Sequence, residues 1–377
     1  MIKKIIIIVL LILAVWYVAD NFTIKPTEKE SNLDFVKLPQ NFHIEVFADD
    51  LQGSKISRPG PNPGPRMLTI KDNSIFVSVP STGEIIVLED KNQDSKVESK
   101  KVFINNLKKP HGIAFYKDWI YIAEEDKVIR VKNENNAANL QTVEKLVDLP
   151  SGGHWTRTIK IIDNSLFISI GSSCNVCIEE EEMRATLQKC NLDGTNCKAF
   201  ATGTRNAVDF IEYNNKIYAT ENSRDGLGEN IPPDEINILQ EGKNYGWPNC
   251  YGKKIHDTEF DKNIYIRDPC LDTESSFVDL QAHSAPLGLL IYQSNKFPLE
   301  YQGKMFVAFH GSWDRDEPTG YKIVSIDLQN KEVKDFATGW LSDLTVKGRP
   351  VGLIEFRGDV LVSDDNTGRI YRIYYNN

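Results

Sequence analysis

The chain has 377 residues, with 44 Lys and Arg against 53 Asp and Glu and a formal net charge of −9. Hydrophobic residues make up 41% and aromatics 10%, enough for a large core, so wholesale disorder is excluded. The acidic balance excludes work on nucleic acid through a broad basic face, and the low mean hydropathy excludes a polytopic membrane protein.

Lys3 and Lys4 precede an unbroken apolar run from Ile5 to Ala19. As a helix this run reaches about 22 Å, short of the hydrocarbon core and close to the length of a signal-peptide core. Bulky Tyr17, two residues before Ala19, makes a poor cleavage site, and Trp16 with Tyr17 suits an interfacial anchor. Cleaved signal and retained anchor therefore both stand for residues 1–22. Either way the lysines stay in the cytoplasm and the remainder lies outside, at the membrane or secreted. Residues 23–37 are polar, contain Pro26 and read as a tether to a folded domain over 38–377.

Strand-like runs dominate that domain, and the one helix candidate is short, about Glu179 to Lys189. A unit of three apolar strands separated by a turn and a polar loop recurs six times, from Pro65, Pro110, His154, Thr204, Ala285 and Arg349. Residues 42–377, shared among the copies, give about 56 residues each, the size of a four-stranded antiparallel blade. The expected fold class is all-β, a six-bladed β-propeller. The strand from His43 to Phe47 is expected to complete the last blade and close the ring.

The six cysteines are Cys174, Cys177, Cys190, Cys197, Cys250 and Cys270. An even number in an exported chain reads as disulfides. A metal or haem site at Cys174-x-x-Cys177 is the alternative, but zinc-ribbon spacing is not met and no histidine follows Cys177. Cys250 is expected to pair with Cys270, and the other four among themselves.

In a propeller the loop leading into the innermost strand and the loop between the second and third strands share one face, because neighbouring strands are antiparallel. The first set of loops carries Arg66, His111, His154 with Arg157, Arg205 with Asn206, His283 and Arg349. The second carries Glu124 and Glu125, Ser172 and Ser173, Arg224 and Asp225, His310 with Trp313 and Arg315, and Asp364 with Asp365. Four of the six histidines fall on these positions, which points to one pocket at the axis. Arg66, Arg157, Arg205, Arg224, Arg315 and Arg349 would make that pocket locally basic despite the acidic whole. Guanidinium forks read carboxylates and phosphates, histidine supplies a base near neutral pH, and the loop from Asp225 to Asp234 offers oxygens for a hard cation. Tyr245 to Pro248 reads as a turn with buried aromatics. Trp313 stays open between sugar stacking and packing.

The motifs GGHWTRT (Gly152 to Thr158), SIGSSCNVC (Ser169 to Cys177), ATGTRNAV (Ala201 to Val208), ENSRDGLGENIPPDEIN (Glu221 to Asn237), GKNYGWPNCYG (Gly242 to Gly252), FHGSWDR (Phe309 to Arg315) and GRPVGL (Gly348 to Leu353) follow in order. On these residues the chain resembles the soluble quinone-dependent sugar dehydrogenases, most closely their sorbosone dehydrogenase-like branch. The resemblance implies a six-bladed propeller with pyrroloquinoline quinone (PQQ) over the axis and a calcium ion against it. It implies His154 as the base that takes the proton of the anomeric hydroxyl while hydride passes from the sugar to PQQ. Arg205 and Asn206 match the family's Arg-Asn pair, Asp234 a cofactor-contacting aspartate, and Arg349 the first arginine of an Arg-x-Arg pair. The loop of Gly228, Glu229 and Pro232 corresponds to the calcium-binding carbonyls. Arg66, Arg157, Arg224, His310 and Arg315 complete the expected cofactor contacts.

The chain also departs from that pattern. Val351 stands where the second arginine belongs, His154-x-x-Arg157 is one residue shorter than in glucose-oxidising members, and Pro232-Pro233 alters the calcium loop. The implied activity is an exported sugar oxidoreductase that passes electrons to a quinone or cytochrome. Two other classes are a calcium-dependent hydrolase of the lactonase kind, which wants carboxylate and amide ligands where Arg and His stand, and a non-catalytic sugar-binding propeller.

Overall fold

The computed structural model describes residues 33–51 and 64–376; the apolar run at the N-terminus lies outside the described residues. From Asp34 onward the chain forms one compact unit. Six antiparallel blades of four strands follow one another in chain order, the third joined by a short fifth strand. Their innermost strands are Leu68–Lys71, Ile113–Tyr116, Ile159–Ile162, Phe210–Tyr213, Pro286–Ile291 and Pro350–Phe356. The fourth strand of blade six is Phe42–Ala48, which pairs with Arg369–Tyr375 from the far end of the chain (Phe42 opposite Tyr375, Ile44 opposite Ile373). The ring is thus closed by an antiparallel pair, as the repeat arithmetic requires.

The second strands show why the chain folds this way. Ser74–Val79 and Asp359–Asp364 are buried at every position, because each is covered by a blade on either face. Side chains of adjacent blades share cores: Phe76, Ile85 and Val87 of blade one pack with Ile113, Ile120 and Ile122 of blade two. Hydroxyls on second strands fasten blade to blade. Ser169 donates to the carbonyl of Ala207, Thr220 to that of Leu287 at 2.8 Å, and Ser363 to that of Arg66. Each target carbonyl lies just before or at the start of the next blade's inner strand, so these bonds satisfy backbone acceptors buried between sheets.

One expectation changes, and one departure from the family pattern finds its structural reason. Glu179 to Lys189 is not a helix: the chain turns through Ala185 at φ 55°, then forms the strand Thr186–Asn191 against Ser165–Ile170. Blade packing buries Leu187 and Cys190 there, overriding the local helical preference. Among the described residues the helical content is one 3₁₀ turn, Leu299–Tyr301, and no helix is long and apolar enough to cross a membrane. The departure lies on the axis, where Val351 is fully buried against Val208 and Leu287. The position expected to hold a second arginine is part of an apolar plug.

All six cysteines are paired: Cys174–Cys177, Cys190–Cys197 and Cys250–Cys270. The last bond clasps a long insertion between the third and fourth strands of blade four. Lys243–Asn244 of that insertion runs parallel to Ala201–Thr202 and carries the chain to the loop face.

Candidate active site

The loop from Gly152 to Thr158 is set by a buried cation. Arg157 is fully buried, and its guanidinium donates to the carbonyls of His154, of Thr156 at 2.8 Å and of Pro150 at 2.6 Å. It therefore shapes the loop under His154 instead of facing the opening, which corrects the expectation of a cofactor contact. Gly153 has φ 64°, and a Cβ there would stand 2.6 Å from the carbonyl of Ser172, so only glycine lets the two loops meet. The imidazole Nδ1 of His154 lies 3.0 Å from the carbonyl oxygen of Ser172 and 2.9 Å from its hydroxyl. A carbonyl only accepts, so Nδ1 carries the proton and Nε2 keeps its lone pair. Nε2 has no partner among the described residues. Burial, helped by the charge of Arg205, pushes the imidazole pKa down to about 4, so the ring is neutral at neutral pH.

Arg205 is buried and spoken for on all three nitrogens. Nε donates to the carbonyl of Asn175 at 2.8 Å, one terminal nitrogen to the side-chain oxygen of Asn175 at 2.9 Å, and the other to the carbonyl of Asn222 at 3.0 Å. Its charge faces Asp225 at 3.6 Å. Asn206 is buried beside it and donates its backbone N–H to Glu221 at 2.7 Å. Asp234 accepts from the backbone of Ser223 and of Ala285, both at 2.9 Å, and so staples two loops from within. Burial raises its pKa to about 7. It is a buttress of the site and is shielded from the opening.

Two of the three carbonyls expected to bind calcium are occupied. That of Gly228 accepts from His283 Nε2 at 2.8 Å, and that of Glu229 from Arg315 at 2.6 Å. Pro232 follows a cis peptide bond and is buried. A cationic guanidinium on the Glu229 carbonyl repels a metal ion. Side chains offer the better donor set: Asp225, His283 and Asp314 each present a ligand atom, all within 4.8 Å of one another.

Across the axis Arg66 is buried, paired with Asp365 at 2.6 Å, and lies 5.4 Å from the centre of the Trp155 ring. Asp365 also holds His310 Nε2 at 2.9 Å. His310 Nδ1 faces Arg349 at 3.4 Å, and Arg349 donates to the Tyr321 hydroxyl at 3.1 Å. His111 packs edge-on to Trp155, so all six blades contribute to one ring of contacts. The local basicity is smaller than the residue types suggest. Arg66, Arg205 and Arg315 each face a carboxylate, and Arg349 alone of the arginines on the opening pairs with none among the described residues.

Arg224 turns away from the axis and grips Asp257 in the insertion at 3.0 Å. With Arg205, Glu221, Glu235, Trp247 and Tyr251 it lines a small pocket behind Arg205. Burial raises the carboxyl pKa of Glu221 well above its ordinary range and that of Glu235 to about 7. Sequence reasoning missed Asn175, which anchors Arg205, and Trp247, whose indole N–H donates to the carbonyl of Asn175 at 3.3 Å. Both sit inside motifs already singled out, but nothing in their spacing reveals the contact. Trp313 is 76% exposed on the rim.

A family model described as TrAA12-like matches residues 62–376. A protein of Borreliella burgdorferi is 34% identical, with 95% of each chain covered. A pyrroloquinoline quinone-dependent pyranose dehydrogenase of Coprinopsis cinerea is 22% identical over 74% of this chain and 48% of that enzyme. Among solved structures, the holo form of the pyranose dehydrogenase PQQ domain of that organism superposes with a TM-score of 0.74 at 20% identity, covering 90% of this chain and 97% of that one. The calcium structure of the Trichoderma reesei Family AA12 enzyme gives the same TM-score, identity and coverage. These two likenesses bear on the fold.

Proposed function

The chain belongs to the TrAA12-like family, and from that premise we propose that it is a sugar oxidoreductase with PQQ and calcium as cofactors. The names of its relatives support the cofactors. The observation that carries the reading is His154, a neutral imidazole with its tautomer set by Ser172 and its Nε2 unpaired beside Arg205.

The residues at the opening fit such a cofactor. Arg349, engaged by Tyr321 and His310, keeps N–H donors for a carboxylate. Arg66 keeps a buried Nε without a partner. The ring of Trp155, with Arg66 and Lys109 at 5.4 and 5.8 Å from its centre, offers a flat surface for an aromatic anion. Asp225 and Asp314 bring two carboxylates within reach of one hard cation, beside His283. When bound, PQQ supplies the two-electron chemistry and calcium the Lewis acidity.

His154 then does the protein's share. Its Nε2 accepts the proton of the sugar hydroxyl, and the imidazolium so formed keeps its Nδ1–H on the Ser172 oxygens. Arg205, fixed by three acceptors, holds its charge in one place without reorganising. The finer reading, a sugar aldehyde of the sorbosone kind, rests on the ordered motifs, with a quinone or cytochrome as electron acceptor. The three disulfides and the apolar run at residues 5–19 support an extracytoplasmic enzyme, with residues 1–22 as signal or anchor, 23–37 as tether and 38–377 as the catalytic domain. The test is reconstitution of the purified chain with PQQ and calcium, followed by dye reduction against a panel of aldoses, ketoses and sorbosone. Uptake of PQQ with sugar-dependent reduction is expected; no uptake would sink the reading.

A further inference from the structure

The Cys174–Cys177 disulfide closes a loop of four residues on the face that carries His154. It differs from the other two bonds in exposure. Each of the other bonds has at least one buried sulfur, with Cys190 2% exposed, Cys250 5% and Cys270 0% and Cys197 partly exposed, whereas Cys174 and Cys177 are both partly exposed. It also differs in what it holds. The carbonyl of Cys174 accepts from the Ser172 hydroxyl at 2.7 Å, the same hydroxyl that meets His154. Asn175 takes two bonds from Arg205, one from Trp247 and one, at 2.9 Å, from the backbone of Asp225. It returns one at 3.0 Å to the carbonyl of Asp225. The loop belongs to no strand, so the disulfide is the covalent restraint on the atoms that align the base, the arginine and one cation ligand.

We propose that Cys174–Cys177 is a thiol–disulfide exchange site and that its oxidised state holds His154, Arg205 and Asp225 in register. Its consequence for turnover rests on the oxidoreductase reading; its chemistry does not. A thiolate of a dithiol reductant attacks one sulfur, breaking the S–S bond and expelling the other cysteine as thiolate. The reductant's second thiol resolves the mixed disulfide. Two electrons and two protons pass to the cysteines, and the reductant leaves as its own disulfide. Exposure permits the attack, and a ring this short gains little from chain entropy. The change it brings is local: Asn175 is freed, and with it the acceptors that hold Arg205.

The test uses the full chain without cofactor. Dithiothreitol titration, alkylation and peptide mass spectrometry should label Cys174 and Cys177 at a reductant concentration about tenfold below that needed for the other four cysteines. Hydrogen exchange should then quicken in residues 152–158, 203–208 and 222–230, with other blades unchanged, and recover on reoxidation. In the PQQ-loaded enzyme turnover should fall with reduction and return with reoxidation. Cys174→Ser/Cys177→Ser should show the reduced pattern and ignore dithiothreitol. Opening of this bond only together with the buried ones, or opening without change near His154 and Arg205, would overturn the proposal; the reversible wild-type experiment decides should the variant fail to fold. Labelling and exchange need neither cofactor nor sugar, so an oxidised chain that turned over no sugar would refute the activity and leave this proposal standing.

Discussion

At the scale of single residues, His154 makes the sharpest demand. A base whose pKa is held near 4 is competent across neutral pH. The acid limb of kcat/KM should therefore fall near pH 4, and a dye-reduction profile with an inflection near 6.5 would contradict the environment described for this ring. The same shift has a thermodynamic face. His111 and His154 resist protonation when folded, so the unfolded chain takes up protons that the folded one refuses. This contribution to stability is lost as pH falls from 6.5 towards 4. Arg157 separates positioning from contact. Arg157→Ala should destabilise the chain by about 1–3 kcal/mol, through one buried and two partly buried carbonyls left without a donor. The loss should be read in denaturant unfolding, and an unchanged midpoint would show that the loop holds its shape without Arg157. The sequence showed which side chains reach the opening and not what they spend their charge on. A loop position names the face, but the partner is remote: Asp365 for Arg66 and Asp257 for Arg224 lie in other elements.

At the scale of elements, the blades were legible because each copy repeats the same apolar strands, turn and polar loop. The failed helix at Glu179 to Lys189 shows the limit: four glutamates and good helix formers set a local preference that pairing with Ser165–Ile170 reverses. The staples between blades were hidden, since a serine in a strand does not announce its acceptor. Thr220→Val keeps the shape and removes the donor to the buried carbonyl of Leu287. It should cost about 1–3 kcal/mol in denaturant unfolding, and an unchanged midpoint would show that the staple carries no weight.

The whole molecule is a ring, and a ring depends on its closure. Phe42 sits on the closing strand with four aromatic neighbours, Phe297, Tyr301, Phe336 and Tyr375, at 4.8 to 5.1 Å. It thereby ties blade six to blade five as well as to its own sheet. Phe42→Ala should cost about 3–5 kcal/mol, read as a loss of Tm by calorimetry, and a change within error would mean the ring closes by backbone pairing alone. Net charge also reads differently at this scale. The −9 of the chain does not forbid an anionic cofactor, but neither is the opening a basic funnel, because its arginines are largely neutralised by neighbouring carboxylates and, among the described residues, Arg349 is the arginine there that faces none. The role of His154 is tested most directly by single-turnover bleaching of the PQQ absorbance when sugar is added to the PQQ- and calcium-loaded chain, compared between wild type and His154→Ala. Wild type should bleach, and the variant should hold the cofactor yet bleach about 10²- to 10⁴-fold more slowly. Equal rates in the two proteins, or a wild type that binds PQQ and never bleaches, would contradict it.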